Sequence, residues 1–413
     1  MKSAWIVRGI ILITVSAAAF KMYSSHTKKI ILGIENVTPH LAKQLGFAHP
    51  QECKVALVTN QTGRLHNETS TVAHLQSLGF DVQVILAPEH GYLGNIPAAK
   101  KVSDTVDPET NISIQSLYGH GTGKNIDPKL LKAINVIIVD LQDVGMRHYT
   151  YISTLYRCLQ AADQNNKPVV VLDRPNPLGG RMEGPLVEPG LESFISIAPI
   201  PLRHGMTIGE IACYMNKFML KQAARLFVVP MCNYSRQPSD FQFLAPLSPN
   251  INSVPAIYGY SFLGMIGELS PLDVGVGTEY PFQVLALPQK TVSPLFWKKI
   301  KELVARYDVG AQEYSYTHPV KKIVYEGLKF GFANASNIAT MPIIMGIIEE
   351  CKEAQILLKC AVNCDKAIGT KLFRMHVEKR EPFISALWLP ALRHFYLQAK
   401  QIFMYKPWPY IPY

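Results

Sequence analysis

Val55-Ala56-Leu57-Val58-Thr59-Asn60 and Val82-Gln83-Val84-Ile85-Leu86-Ala87-Pro88 decide the fold of this chain. Each is a short, almost unbroken hydrophobic run that ends in polar or turn-forming residues. An antiparallel strand with one wet face would alternate apolar and polar side chains, so runs like these imply strands buried on both faces of a parallel sheet. Val136 to Leu141, Val169 to Asp173 and Leu226 to Met231 repeat the pattern. Between them, Ser70 to Leu78, Tyr151 to Gln164 and Thr207 to Phe218 read as helices. Strands that alternate with helices predict an α/β fold with a Rossmann-like parallel sheet. Thr207-Ile208-Gly209-Glu210 has the form of a capping box, which assigns Glu210 to the helix start and not to chemistry.

The texture changes after the Pro- and Ser-rich stretch around Pro246 to Pro255, becoming mixed strands and helices that end in a helix-like Ala386 to Met404 and an aromatic tail with Trp408 and Tyr410. This organisation predicts a signal or anchor over residues 1–28, a Rossmann-like domain over 29–250, and a smaller α/β domain over 251–413. The N-terminal assignment rests on Lys2 and Arg8, followed by the twelve-residue run Gly9 to Phe20, which is shorter than the ~20 apolar residues of a spanning helix. It predicts export to the periplasm or beyond. An uncleaved segment, extended by Trp5 to Val7 and Met22-Tyr23, would instead tie the protein to a membrane.

Of the formal charge of +10, Lys2, Arg8 and Lys21 contribute three, leaving +7 for an acidic polymer to meet. The basic residues are dispersed in pairs such as Lys100-Lys101 and Lys321-Lys322, which speaks against nucleic acid as a partner. Seven cysteines are an odd number for an exported chain and read as free thiols; Cys360 and Cys364 lack the further ligands of a metal site.

In open parallel sheets ligands bind beyond the carboxyl ends of the strands. Here those ends deliver Asn60, Glu89, His90, Asp143, Arg174 and Asn176 toward one rim. Asn60 and Asn176 are also ordinary turn formers, whereas turn chemistry explains Glu89, His90, Arg147 and Arg174 poorly. Gly119-His120-Gly121-Thr122-Gly123-Lys124 lacks phosphate-loop spacing and reads as a flexible loop. No dinucleotide fingerprint, nucleophile elbow or zinc-binding His pair is present, so no cofactor or metal is expected. Carboxylate chemistry remains: glycoside hydrolysis uses two carboxyl groups flanking the bond, and Glu89 can be the first.

Leu57-Val58-Thr59-Asn60-Gln61-Thr62-Gly63, Pro88-Glu89-His90-Gly91, Ser116-Leu117-Tyr118-Gly119, Gln142 to Tyr151, Leu172 to Gly180 and His204 to Glu210 together resemble the NamZ-like exo-β-N-acetylmuramidase family, over roughly Gly33 to Tyr405. The resemblance implies a cleft between the two domains and release of N-acetylmuramic acid from the non-reducing end of peptidoglycan fragments. The family's Glu-His turn matches Glu89 and His90, and its Asp-Val-Gly-x-Arg-x-Tyr-Thr-Tyr element matches Asp143, Arg147, Tyr149 and Tyr151. On this reading Glu89 is catalytic, Glu268 is the second carboxylate and Glu183 the reserve. The saccharide or muropeptide would be held by Asn60, His90, Asp143, Arg147, Tyr149, Tyr151, Arg174, Asn176 and His204.

The segment Glu268 to Thr278 keeps the family's glutamate and closing glycines but carries Pro271 and Val276 where Asn and Arg are usual; Leu93 replaces a frequent Arg. These departures leave a non-catalytic muropeptide binder as the alternative. A nucleotide-dependent enzyme would rest on fold analogy alone.

Overall fold

The computed structural model describes residues 29–119, 122–333, 335–379 and 387–407. The N-terminal segment 1–28, Trp408 and Tyr410 lie outside the described residues.

The central sheet has seven strands: β1 Lys54–Thr59, β2 Asp81–Ala87, β3 Thr105–Val106, β4 Ser113–Ser116, β5 Val136–Asp140, β6 Val169–Leu172 and β7 Leu226–Val229. Their spatial order is β3-β4-β2-β1-β5-β6-β7, and every pair is parallel except β3 with β4. The chain builds outward from β1 through β2 to β4, then crosses back to start again at β5. The order therefore reverses between β1 and β5, and at such a point the connections leave a crevice at the carboxyl ends of the strands. Four of the five hydrophobic runs predicted from sequence are inner strands, with Val136, Ile137, Ile138 and Val139 wholly buried; the fifth, Leu226–Val229, is the edge strand β7 and only half-buried, because it has a neighbour on one side alone. β4 carries only Ile114 as an apolar residue, too little to mark it as a strand; it is held by pairing with β2, Ile114 opposite Ile85. The run Gly119 to Lys124 is not an open loop throughout, because Tyr118–Gly119 pairs antiparallel with Thr122–Gly123.

Helices α1 Thr71–Ser77, α2 Tyr151–Gln164 and α3 Ile208–Phe218 cover the sheet. Ser70 caps α1 by accepting the Ala73 amide. At α3 the Thr207 hydroxyl accepts the Glu210 amide, and Glu210 accepts the Thr207 amide, both at 3.2 Å. Glu210 is further held by Arg236 and by the Met404 amide.

Beyond Ser253, which caps α4 Val254–Ile266, the chain forms a second α/β unit. Strands β8 Val284–Pro288, β9 Val309–Thr317 and β10 Val324–Phe332 form an antiparallel sheet in the order β8-β10-β9, with α5 Pro294–Ala305 and α6 Thr340–Glu353 against it. One continuous apolar core runs from Val58 and Val139 of the first sheet to Leu328 and Ile344 of the second unit. The last described helix, α7 Leu389–Ala399, returns to the first domain: Phe395 packs on Tyr214 of α3, and the Tyr405 hydroxyl reaches Asp173 at the end of β6. All seven cysteines are free thiols, four of them buried.

Candidate active site

The turn after β2 is closed by a hydrogen bond from the Gly91 amide to the Pro88 carbonyl, 3.1 Å. His90 (φ 71°) and Gly91 (φ 78°) are both left-handed. A non-glycine residue there costs about 1–3 kcal/mol unless its surroundings hold it, and such strain concentrates at ligand sites. His90 is held through Nδ1, which donates to the Ile96 carbonyl at 2.7 Å.

The turn directs Glu89 inward, leaving it 7% exposed. Oε1 accepts the Ala99 amide at 3.0 Å, and Oε2 accepts the Thr150 hydroxyl at 2.7 Å. Thr150 is the residue before α2, where a hydroxyl ordinarily caps the helix for about 1 kcal/mol. It makes no cap here and gives its proton to Glu89 instead. Tyr118, Tyr151 and Tyr260 share this environment. Burial raises the pKa of each phenol, and the Glu89 charge raises it further, so all three stay protonated as O–H donors around the carboxylate.

Beside them, from the β1 end, Asn60 donates to the Tyr151 hydroxyl at 2.6 Å and accepts the Thr62 amide and hydroxyl. Tyr149 donates to the Leu247 carbonyl at 2.7 Å, and its ring lies 4.5 Å from that of Tyr151. From beyond β5, Asp143 accepts the Gly145 amide and the His204 Nε2 proton on one oxygen, at 2.6 and 3.0 Å. The His204 tautomer follows from Nδ1, which accepts the Met206 amide. The other Asp143 oxygen is buried with no partner among the described residues, as are both ring nitrogens of His148. His148 packs 4.8 Å from Tyr260, and burial pulls its pKa down to about 3, so the ring is neutral. Buried polar atoms left unpaired are costly, and Asp143 and His148 between them hold three.

The second unit contributes Tyr260 on α4 and Glu268 just past its end. Glu268 is partly buried, and desolvation raises its carboxyl above the usual range. The charges of Glu89, Glu268 and Asp143 all act on the Tyr260 phenol, so its electrostatic environment draws on three separate parts of the chain.

Other residues from the predicted rim are committed elsewhere. Arg147 is wholly buried, and a guanidinium has five N–H donors. Nε donates to Ser196, Nη1 to the Pro185 and Ile200 carbonyls, and Nη2 to the Ala367 and Ile368 carbonyls. No donor is left for a ligand. Arg174 forks onto Asp140, with Nη2 2.8 Å from Oδ2, and also reaches the Arg64 carbonyl. Asn176 spans its own turn, donating to the Met206 carbonyl and accepting the Leu178 amide. Glu183 is fully buried between Arg203, Arg181 and the Met341 amide of α6, where it joins the two units and stands apart from the Glu89 group.

Thr150, His148, Tyr118 and Tyr260 were not singled out from the sequence. The first three lie inside the quoted motifs, but nothing in their spacing marks what they face. Tyr260 sits in a helix that is apolar nearly all round, buried from Ala256 to Ile266 with few breaks, and no local pattern distinguishes it from core.

Residues 55–255 match the family described as exo-beta-N-acetylmuramidase NamZ, N-terminal. That match spans just under half of the chain, from β1 to the start of α4. A curated relative, the peptidoglycan beta-N-acetylmuramidase NamZ of Bacillus subtilis (strain 168), is 37% identical over 276 residues, which is 65% of this chain and 64% of the relative. The match therefore spans just under two thirds of that relative's length. Crystal structures of two DUF1343 family proteins from Bacteroides fragilis NCTC 9343 superpose with TM-scores of 0.77 and 0.70 at 28% and 26% identity, each covering 92% of this chain and 99% of the other. The NamZ-family match holds the Glu89 turn, Asn60, Asp143, Thr150 and His204, while the structural likeness carries the comparison into the second unit, where Tyr260 and Glu268 lie.

Proposed function

We propose that this protein is an exo-acting glycoside hydrolase that releases N-acetylmuramic acid from the non-reducing end of peptidoglycan fragments, without metal or cofactor. The observation that carries the reading is Glu89. It is a buried carboxylate at the switch point of a Rossmann-like sheet, held by an amide and by a hydroxyl diverted from a helix cap, and it shares Tyr260 with Glu268. The 37% identity to a peptidoglycan beta-N-acetylmuramidase supports the same chemistry.

In the mechanism we infer, Glu268, which desolvation keeps protonated to higher pH than an exposed glutamate, gives its proton to the leaving oxygen. Glu89, aligned by Thr150 and Ala99, is the partner carboxylate: it stabilises the cation that forms as the bond from the anomeric carbon to the leaving oxygen breaks, and water then adds to that carbon, its proton passing to the carboxylate that Glu268 has become. Tyr118, Tyr151 and Tyr260 donate to it or to sugar hydroxyls, and the unpaired Asp143 oxygen and His148 ring accept from the sugar. Peptidoglycan lies outside the cytoplasm, and we propose that residues 1–28 direct the chain there.

The test is Glu89→Gln assayed with a chromogenic β-N-acetylmuramide. The amide keeps the shape but can neither transfer a proton nor hold the charge, so kcat should fall at least about 100-fold with substrate binding and melting temperature nearly unchanged. A lowered melting temperature with kcat intact would show that Glu89 serves the turn. A wild-type protein that binds muropeptides in calorimetry but releases nothing would establish the non-catalytic alternative.

A further inference from the structure

A cavity of about 590 Å³ lies in the second unit between the start of α5 and the β9–β10 hairpin. Its volume is in the range of small-molecule sites. Alternation along β9 puts Glu313 and Ser315 on one face, and Ser315 pairs across the sheet with Glu326. Lys290 and Val292 close one side, and Trp297 of α5 lines the other. Phe282, which packs on Tyr260, lies in the turn before β8, Pro288 ends the strand, and its five extended residues span about 16 Å. The cavity therefore opens well away from Glu89.

The lining has a mixed character. Glu326 accepts the Lys290 amide at 2.9 Å on one oxygen, and Glu313 is met by Lys301 at 3.1 Å. One carboxylate is paired with an ammonium group and the other holds a backbone amide, and the formal charges of Lys290 and Lys301 balance those of Glu313 and Glu326, so neither sign of ion is selected. Trp297 is only 8% exposed, yet its indole N–H has no acceptor among the described residues. A buried donor left unmade carries a free-energy cost that an incoming acceptor relieves. A ligand that suits this set must accept from an indole, donate to carboxylates, and present an apolar face to Trp297 and Val292. A sugar ring does all three, since its equatorial hydroxyls both donate and accept while its axial C–H face is apolar.

We propose that this cavity is a second saccharide-binding site, which holds an uncharged stretch of glycan at a distance from the Glu89 group. Its chemistry is independent of that group, and the proposal stands whether or not Glu89 is catalytic. Tethering the polymer at a second point would raise the local concentration of chain ends near the cleft.

The experiment is calorimetric titration of the full-length protein with N-acetylchitotetraose, with N-acetylmuramic acid added in excess to occupy the first site. Wild type should retain saturable binding. Glu326→Gln, which removes the charge and keeps the shape, and Trp297→Phe, which removes the N–H and keeps the ring, should each weaken that binding by at least about 10-fold. Turnover of the chromogenic β-N-acetylmuramide should stay within about twofold of wild type in both variants. Melting curves accompany both variants, and Glu326→Gln decides the outcome if Trp297→Phe unfolds. Unchanged tetraose binding in Glu326→Gln, or tetraose binding that N-acetylmuramic acid abolishes in wild type, would overturn the proposal.

Discussion

Arg147→Met should damage the fold far more than the affinity for substrate. The side chain is wholly buried and spends all five donors inside the protein: Ser196 at 3.2 Å, Pro185 and Ile200 at 2.7 Å, Ala367 at 3.1 Å and Ile368 at 2.6 Å. Burial lowers its pKa to about 9, and it remains a cation at neutral pH. Methionine fills much of the volume but leaves four carbonyls and a hydroxyl without a donor. Each such group costs about 1–3 kcal/mol if nothing relaxes, and the losses are not additive, so a total of about 3–5 kcal/mol is expected, as for other buried charges that lose their partners. For a domain of this size that corresponds to a fall in melting temperature of roughly 10 °C. The loss should concentrate where residues 367 and 368 of the second unit meet the first. Gly369 probes the same contact: it sits at φ 87°, and a Cβ there would come within 2.6 Å of Arg147 Nη2, so Gly369→Ala should destabilise in the same way. Melting curves beside steady-state kinetics are the assay. A melting temperature within about 2 °C of wild type, together with a KM raised more than tenfold, would refute the assignment and return Arg147 to the substrate.

Thr150→Val keeps the side-chain volume and removes the hydrogen bond to Glu89 Oε2, so kcat should drop about tenfold at nearly constant KM; an unchanged kcat would mean the hydroxyl does not align the carboxylate. Burial pushes Asp173 up to about 7 against hydrogen bonds from Tyr405, Gly209 and Thr207. A carboxyl with a raised folded-state pKa contributes stability that is present at acid pH and lost as pH rises, here from about 4 to about 7. Asp173→Asn should flatten the stability profile in that window, and denaturant titrations with equal slopes for both proteins would contradict it. Fusing residues 1–30 to a reporter active only after export should give signal, and a silent reporter would remove the proposed localisation.

The sheet was legible because its evidence is local. An unbroken run such as Val136 to Leu141 can be satisfied only by burial on both faces, and the polar residues that follow each run must then fall at one edge of a parallel sheet. The Thr207 to Glu210 cap was legible for the same reason, since donor and acceptor are three residues apart. β4 was missed because four residues with a single apolar side chain carry no pattern, and it becomes a strand only by pairing with β2.

What the sequence determined by itself, then, is the order of strands and helices, the capped start of α3, and the gathering of Asn60, Glu89, His90 and Asp143 at one rim, because each follows from periodicity or from contacts within a few residues. Tertiary structure alone decided which of the rim's polar groups are free. Arg147 is committed to carbonyls about 220 residues away, Glu183 to an amide 158 residues away, and Asp173 to a tyrosine 232 residues away. Tyr260, whose nearest charged residue in sequence is Glu268, is brought within the field of Glu89 and Asp143 as well. A side chain's type states what it can bond to, but the partner it finds is fixed by the packing of distant elements, and burial penalises any buried donor or acceptor left without one.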